Sequence, residues 1–560
     1  MKNNMKNMKP MALAAMILSL AGNALSETLY VLPGDNIQST VDLAEAGDTV
    51  VLLGGEYLND VSITKNIKLK KVFGETVRLT GDLAVSGLTE PFEINGIILK
   101  GDESGTALTF TDCKAITLAN LPEGTGSITF TTIETVTVTN IKTASITFTD
   151  IEKTVVVTSS ETGDLTFKRM EEVTVTDTKI SGSMGLTDVK TITISNTTGS
   201  GHMGVTNCGD FDIANCTVSG NVTLDNCTSK ITGVTTSDLN MHGTSNSAIV
   251  TRCVVKSKLN MYDSSDDKGY IFFQNSILES HAHNSNYKNI LFAYNKFRRL
   301  IFNHGWGEVK LVGNVIDGYY NGPDADPQTD ATHSHHNELL YWRMDDTSEA
   351  KFYAYNNVFR NCYRNHHDTI GIRLNNSKNV SVKIYNNIFY NIRSNGDYSE
   401  WYRGRAITHQ KDKIPALFEV KGNVFHHIRP NPVWAQPGNV DITNNYKSST
   451  TRSWDWANGG WRMSDTNISG NVAEDFVDFG GGDYRLADGS KCLNAGPSEP
   501  WFMDRDGTVN DMGLHGGPRY DPDGFTTDNP VVLFSEQEPL QFFKGKTETI
   551  NISAQGIVAP

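Results

Sequence analysis

Four segments of the chain can be laid over one another: "LTFTDCKAITLAN" from Leu108, "ITFTTIETVTVTN" from Ile128, "ITFTDIEKTVVVT" from Ile146 and "LTFKRMEEVTVTD" from Leu165. Their starts step by 20, 18 and 19 residues. Each holds two short runs in which β-branched residues alternate with polar ones, separated by a polar corner. That is strand chemistry with a period of two. A unit of this length is too short for a propeller blade and lacks the leucine consensus of a horseshoe repeat. The arrangement that remains is an all-β parallel β-helix with one turn per repeat. Its inward Ile, Leu, Val and Phe would form one continuous core, and its many Thr and Asn would hydrogen-bond from turn to turn at the outer face and corners.

A solenoid exposes apolar ends and needs caps. "NIQSTVDLAEAGDTVVLLGGEY" predicts a short capping helix over about Ile37 to Ala46, followed by the first strand. "CLNAGPSEPWFMDRDGTVNDMGLHGG", residues 492–517, reads as a closing segment, and its "DRDGTVND" portion as turns rather than a calcium loop. These passages resemble the secreted, right-handed parallel β-helix proteins of the pectin-lyase-like superfamily. The resemblance covers residues 28–520 and implies the fold. The organisation expected is a signal peptide at 1–26, a β-helix at 27–520 with regular turns over about 60–270 and looped turns over about 270–470, and an extension at 521–560 with a few strands.

The signal peptide rests on "MKNNMKNMK", a short apolar run "MALAAMILSLAG", and small residues before Glu27. The mature protein is therefore expected outside the cytoplasm, periplasmic or extracellular, with no membrane span and as a monomer. Seven cysteines in 560 residues do not make a disulfide framework. Cys208 and Cys227, in the triplets "TNC" and "DNC", are expected to stack as buried thiols, with a disulfide as the alternative. A formal net charge of -15 argues against nucleic acid as a partner.

From about residue 270 the pattern loosens. Asparagine corners recur at "GNVIDG", "NNVFRN", "NNIFYN" and "GNVFHH", but their spacing grows to between 30 and 43 residues. The extra residues are expected to leave the helix as loops: "YYNGPDADPQTDATHS", "SNGDYSEWYRGRAITHQKDK" and "RPNPVWAQPG". Loops on one flank of a rigid solenoid build a cleft. Eleven of the 14 histidines fall between His281 and His427, and residues 333–413 hold 12 Lys and Arg against 8 Asp and Glu. Basic groups beside flat rings suit an anionic polysaccharide. Tyr341, Trp342, Arg364, Trp401, Tyr402, Arg403 and His409 are the candidates for contacting it.

Within "HSHHNELLYWR" (333–343), "ELLYWR" resembles the Glu-(apolar)-(apolar)-x-x-Lys strand of polysaccharide lyase family 6, the chondroitinase-B and alginate lyase group. The resemblance implies β-elimination on a uronate polymer, Glu338 as a calcium ligand, Arg343 in the lysine position and Arg373 on a later turn. A second register matches Arg373 to the lysine and Arg405 to the arginine. Arg343 stands where the family has lysine, and His336 where it has a second glutamate. Arginine hardly deprotonates, so the base would be His366 or His367, with Tyr341 also near in sequence, and Asp368 could share the calcium. In a regular strand Glu338 and Arg343 face opposite ways and share a site only if a bend intervenes.

Other metal groupings are His333 with His335, Asp324 with Asp326 and Asp330, and Asp345 with Asp346. A glycoside hydrolase using Asp345, Asp346 and Asp368 is the alternative enzyme. The motifs of polygalacturonase-like hydrolases and of pectate lyases are absent from the sequence. A non-catalytic surface adhesin or glycan-binding solenoid is the third reading.

Overall fold

A computed structural model describes residues 26–99 and most of 107–522, with two further strands beyond. The longer internal segments outside the described residues are 263–269, 319–336, 344–349, 395–403, 410–415 and 452–465. The chain is the expected right-handed parallel β-helix. Strand after strand pairs in parallel with its counterpart one turn later, from Thr28–Val31 on Thr49–Leu52 to Tyr446–Ser448 on Ile468–Gly470. The capping helix runs Ile37–Leu43, started by Asn36, whose side chain accepts from the Ser39 amide. It buries Ile37 and Val41 against the first turn. Val531–Glu538 and Asn551–Ile557 form an antiparallel hairpin. Residues 1–25, and with them nearly all of the expected signal peptide, lie outside the described residues. No helix among the described residues is long and apolar enough to cross a membrane.

The repeat stacks like on like. Phe110, Phe130, Phe148 and Phe167 lie face to face with centroids 5.0, 4.9 and 5.0 Å apart, close to the strand spacing that sets the rise per turn. All seven cysteines are buried and none is joined in a disulfide, and the register that pairs Thr206 with Asp225 sets Cys208 and Cys227 on neighbouring turns, as the stacked reading expects.

In the looped half each turn has three strands, as in Ala350–Tyr355, Val358–Arg364 and Thr369–Asn375. The corner between the first two never varies. Its first residue takes a left-handed backbone: Asn356 at φ 55°, Asn386 at 57°, Asn444 at 54°, Gly313 at 66° and Gly422 at 69°. Asparagine and glycine tolerate that region best. From Asn295 onward the second residue is asparagine, and the turn-to-turn ladder expected at the corners is there, with its members inside the core. Asn295, Asn314, Asn357, Asn387, Asn423 and Asn445 are fully buried. Asn295 Oδ1 accepts from the Ser276 amide, and from Asn314 on each side-chain oxygen accepts from both the backbone and the side-chain N–H of the previous asparagine, across sequence steps of 19, 43, 30, 36 and 22 residues. A corner locked in this way cannot absorb insertions. They fall at the other two corners, on either side of the third strand.

The outward asparagine of the pair has a separate task. Asn356 Nδ2 donates to the carbonyls of Leu514 and Gly516 at 2.8 and 2.7 Å, and Asn386 Nδ2 to that of Asp511 at 2.7 Å. The closing segment therefore runs back along the helix toward Tyr294, whose hydroxyl accepts from the Asp521 amide. It seals a second core containing Tyr355, Tyr385, Tyr446, Phe476, Phe479 and Phe502. "DRDGTVND" forms turns: the Gly507 amide donates to the Asp504 carbonyl, and Asp506 accepts from Thr508.

His426, 8% exposed, stacks on Tyr390 at 5.2 Å and meets the edge of Phe479 at 5.0 Å, with Nδ1 2.8 Å from Ser448 Oγ. Burial, with neighbouring His427, pushes its pKa down to about 4. An unfolded histidine titrates near 6.5, so as pH falls below that value the unfolded chain takes up the proton first. Roughly 3 kcal/mol of stability is then lost between about pH 6.5 and 4. His426→Phe should flatten that limb: its urea midpoint should move less than the wild-type midpoint between pH 7 and 4.5. Equal movement in the two proteins would refute the assignment.

Candidate functional site

The third strands carry the residues singled out by sequence. Lys296–Asn303, Asn337–Arg343, Thr369–Asn375, Gly404–His409 and Pro430–Trp434 pair in that order. Their register puts Leu340, Ile372, Ile407 and Val433 in one row, packed in or against the core. Next to it, Ile301, Tyr341, Arg373, Thr408 and Trp434 form a second row, in which Thr408 is buried and the others are partly exposed. Arg343 is exposed two residues beyond Tyr341, in register with Asn375.

Glu338 breaks the alternation. Glu338, Leu339 and Leu340 are buried in succession, which marks a bend. Gly371, one turn on, sits at the same place, where a Cβ would lie 2.5 Å from the Ala406 carbonyl oxygen. Glu338, in register with the buried Ile370, stays buried behind the second row. Its carboxylate is 2% exposed and clasped from both sides, accepting from Arg299 Nη2 at 3.0 Å and from Arg373 Nη1 at 2.8 Å. The Arg373 guanidinium lies 5.8 Å from the centroid of the Tyr341 ring, and Arg405 lies 4.9 Å from that of Trp434. Both distances are within cation–π range.

Of the expected site residues, Tyr341, Arg343, Arg373 and Arg405 belong to this one stretch of sheet. Three assignments are corrected. Trp342 is fully buried, packed at 5.3 Å against Phe352, so it contacts no ligand. His409 is fully buried against Phe418 at 5.9 Å. Both occupy the inward phase set after the bend. Calcium at Glu338 does not fit, because both oxygens accept from arginines and two fixed cations stand beside them. Among the described residues no three His, Cys, Asp or Glu side chains gather as a metal site. His366, His367, Asp368, Trp401, Tyr402 and Arg403 lie outside the described residues, as do the other metal groupings proposed from His333 to Asp346 and from Asp324 to Asp330. Arg364 ends the Val358–Arg364 strand, and its side chain is not described.

Sequence reasoning missed Arg299, Thr408 and Trp434. "RPNPVWAQPG" was expected as a loop, yet Pro430–Trp434 is a strand that continues the sheet. Likewise "GRAITH" within the second expected loop is a strand. Carrying the Tyr341–Arg373 register onward is the signal that would have found Trp434.

The arrangement offers four arginines against one buried carboxylate, with two aromatic rings in a row along the helix axis. Arginine stays charged at every physiological pH and grips carboxylates through a fork of donors. Such a face can neutralise and orient an acidic polymer.

No protein-family model matches the chain, and no curated protein sequence does. Among solved structures, the pectate lyase Pel9A aligns over 88% of this chain and 97% of its own at 13% identity, with a TM-score of 0.21.

Proposed function

We propose that the chain is an exported polysaccharide lyase acting by β-elimination on an anionic, uronate-containing glycan laid along the second row. The observation that carries this reading is the joint placement of Arg373 on Tyr341 and Arg405 on Trp434 in one run of sheet. In the reaction a base removes the proton α to the uronate carboxylate, a carbon–carbon double bond forms, and the glycosidic oxygen leaves and is protonated. The proton is only weakly acidic, so the carboxylate must be neutralised as charge builds on it. Arg373, already aimed by Glu338, and Arg343 beside it serve that purpose. Arginine does not act as the base. His366 and His367, between the Val358–Arg364 and Thr369–Asn375 strands in sequence, are proposed for that step.

A glycan-binding solenoid is the second reading, favoured because Tyr341, Arg373, Arg405 and Trp434 are all suited to holding a sugar. One assay separates the two. Mature protein is incubated with alginate, chondroitin and dermatan sulfates, pectate and neutral glycans, while ultraviolet absorbance and reducing ends are followed. Absorbance from unsaturated ends is expected with a uronate polymer. Reducing ends without absorbance mean hydrolysis, and binding without either means an adhesin. No activity on any uronate polymer would overturn the lyase reading.

A further inference from the structure

The second row does not stop at Ile301. The same register carries it back through the Ile277–Ser285 strand to Asn260, Asn240, Thr223, Gly204 and Gly185. Tyr262 and His242 run beside it, two residues further along each strand, in line with Arg343. Asn260 and Gly185 lie three and seven strand steps from Tyr341, about 14 and 34 Å at about 4.8 Å per step.

The chemistry changes along the way. Asn260 Nδ2 donates to Asn240 Oδ1 at 2.8 Å, and Asn240 Nδ2 to Thr223 Oγ1 at 3.4 Å. Each amide carries a second N–H and a further lone pair beyond those bonds, a donor and an acceptor for hydroxyls. The rings of His242 and Tyr262 meet edge to face at 5.3 Å, and Tyr262 is 38% exposed. Gly185 and Gly204 follow, side by side in the sheet. Neither has a left-handed backbone, and a Cβ on either would meet nothing within 4 Å. Neither conformation nor crowding within the chain calls for glycine there. A strand glycine weakens the strand and marks a place where another molecule comes close to the backbone.

We infer that this stretch is an uncharged extension of the binding face. It takes further units of the same polysaccharide through their hydroxyls at Asn240 and Asn260, through a ring contact at Tyr262, and over the bare backbone at Gly204 and Gly185. The inference rests on the functional reading above and adds a length requirement to it: the arginine end holds the acidic units, and the neutral end rewards long chains.

The test uses full-length mature protein with alginate and polygalacturonate, each as polymer and as tetrasaccharide, and measures binding alongside cleavage. Tyr262→Ala and Gly204→Phe, the latter setting a ring on an open floor, should each weaken polymer binding by about tenfold, roughly 1.4 kcal/mol. Tetrasaccharide binding should be unchanged, and melting temperatures should match wild type. If the wild type binds neither these polymers nor chondroitin and dermatan sulfates, the functional reading falls and this inference with it. If the wild type binds and Gly204→Phe binds the polymer equally well, only the extended face is refuted. An equal loss on tetrasaccharide and polymer also refutes it, as does a Tyr262→Ala effect confined to self-association of the protein.

Discussion

Replacing Asn387 by alanine should destabilise the protein by about 4 kcal/mol. Its Nδ2 donates to the carbonyls of Ala354 and Tyr385 and to Asn423 Oδ1, while its Oδ1 accepts from the backbone and side chain of Asn357. The site is fully buried, so alanine leaves the Asn357 amide and two carbonyls without these partners in a place water does not reach. Each such group costs about 1–3 kcal/mol. Asn387→Asp should be no better, because a carboxylate has no N–H to donate to any of these acceptors and buries a charge. Urea or thermal unfolding of both variants against wild type checks this. A loss below about 1 kcal/mol for Asn387→Ala would mean the ladder is ornamental rather than structural. The exposed Asn120–Asn140 pair, 2.8 Å apart at a regular corner, is the contrast. There water can replace the lost bond, and Asn140→Gly should be nearly neutral, since φ at Asn140 is 52°.

The same ladder explains what could and could not be read from sequence. Alternation and a steady period of about 19 were enough for the fold, because every turn repeats the same inward choice, as the Phe110 to Phe167 stack shows. The recurring "NN" and "GN" pairs also pointed to corners. Their division of labour was hidden, since only the backbone decides that the first residue faces the returning tail and the second faces the core. The site was legible as a region and not as a set of contacts. Arg299 and Arg373 stand 39 and 35 residues from Glu338, across insertions whose lengths conceal the register. Trp342 and His409 were misread because the bend after Glu338 resets the in–out phase, and no residue type announces a bend. Gly371 was its one visible trace.

That bend makes Glu338 the residue on which the site depends. Glu338→Ala should cost about 3 kcal/mol, because it leaves two guanidinium groups facing each other with their shared carboxylate gone. Arg299 and Arg373 keep some access to solvent, with side chains 22% and 30% exposed, which holds the loss toward the lower end for a broken buried pair. Function should split in an informative way. Removing a negative charge from an arginine-rich face tightens binding of an acidic polymer at low salt, and the gain fades as salt screens it. Turnover should nevertheless fall, since Arg373 is no longer held toward the row it shares with Tyr341 and Thr408. The expected signature is therefore a lower KM with a much lower kcat, and Glu338→Gln should restore part of the turnover by keeping one acceptor for Arg373. A calcium ligand at this position predicts something else: chelation of the wild type would reproduce the Glu338→Ala phenotype. The double arginine clasp predicts that the wild type, stripped of divalent ions, keeps the KM and the stability that the variant loses. If chelated wild type and Glu338→Ala coincide in KM, kcat and melting temperature, the clasp is not the role of Glu338.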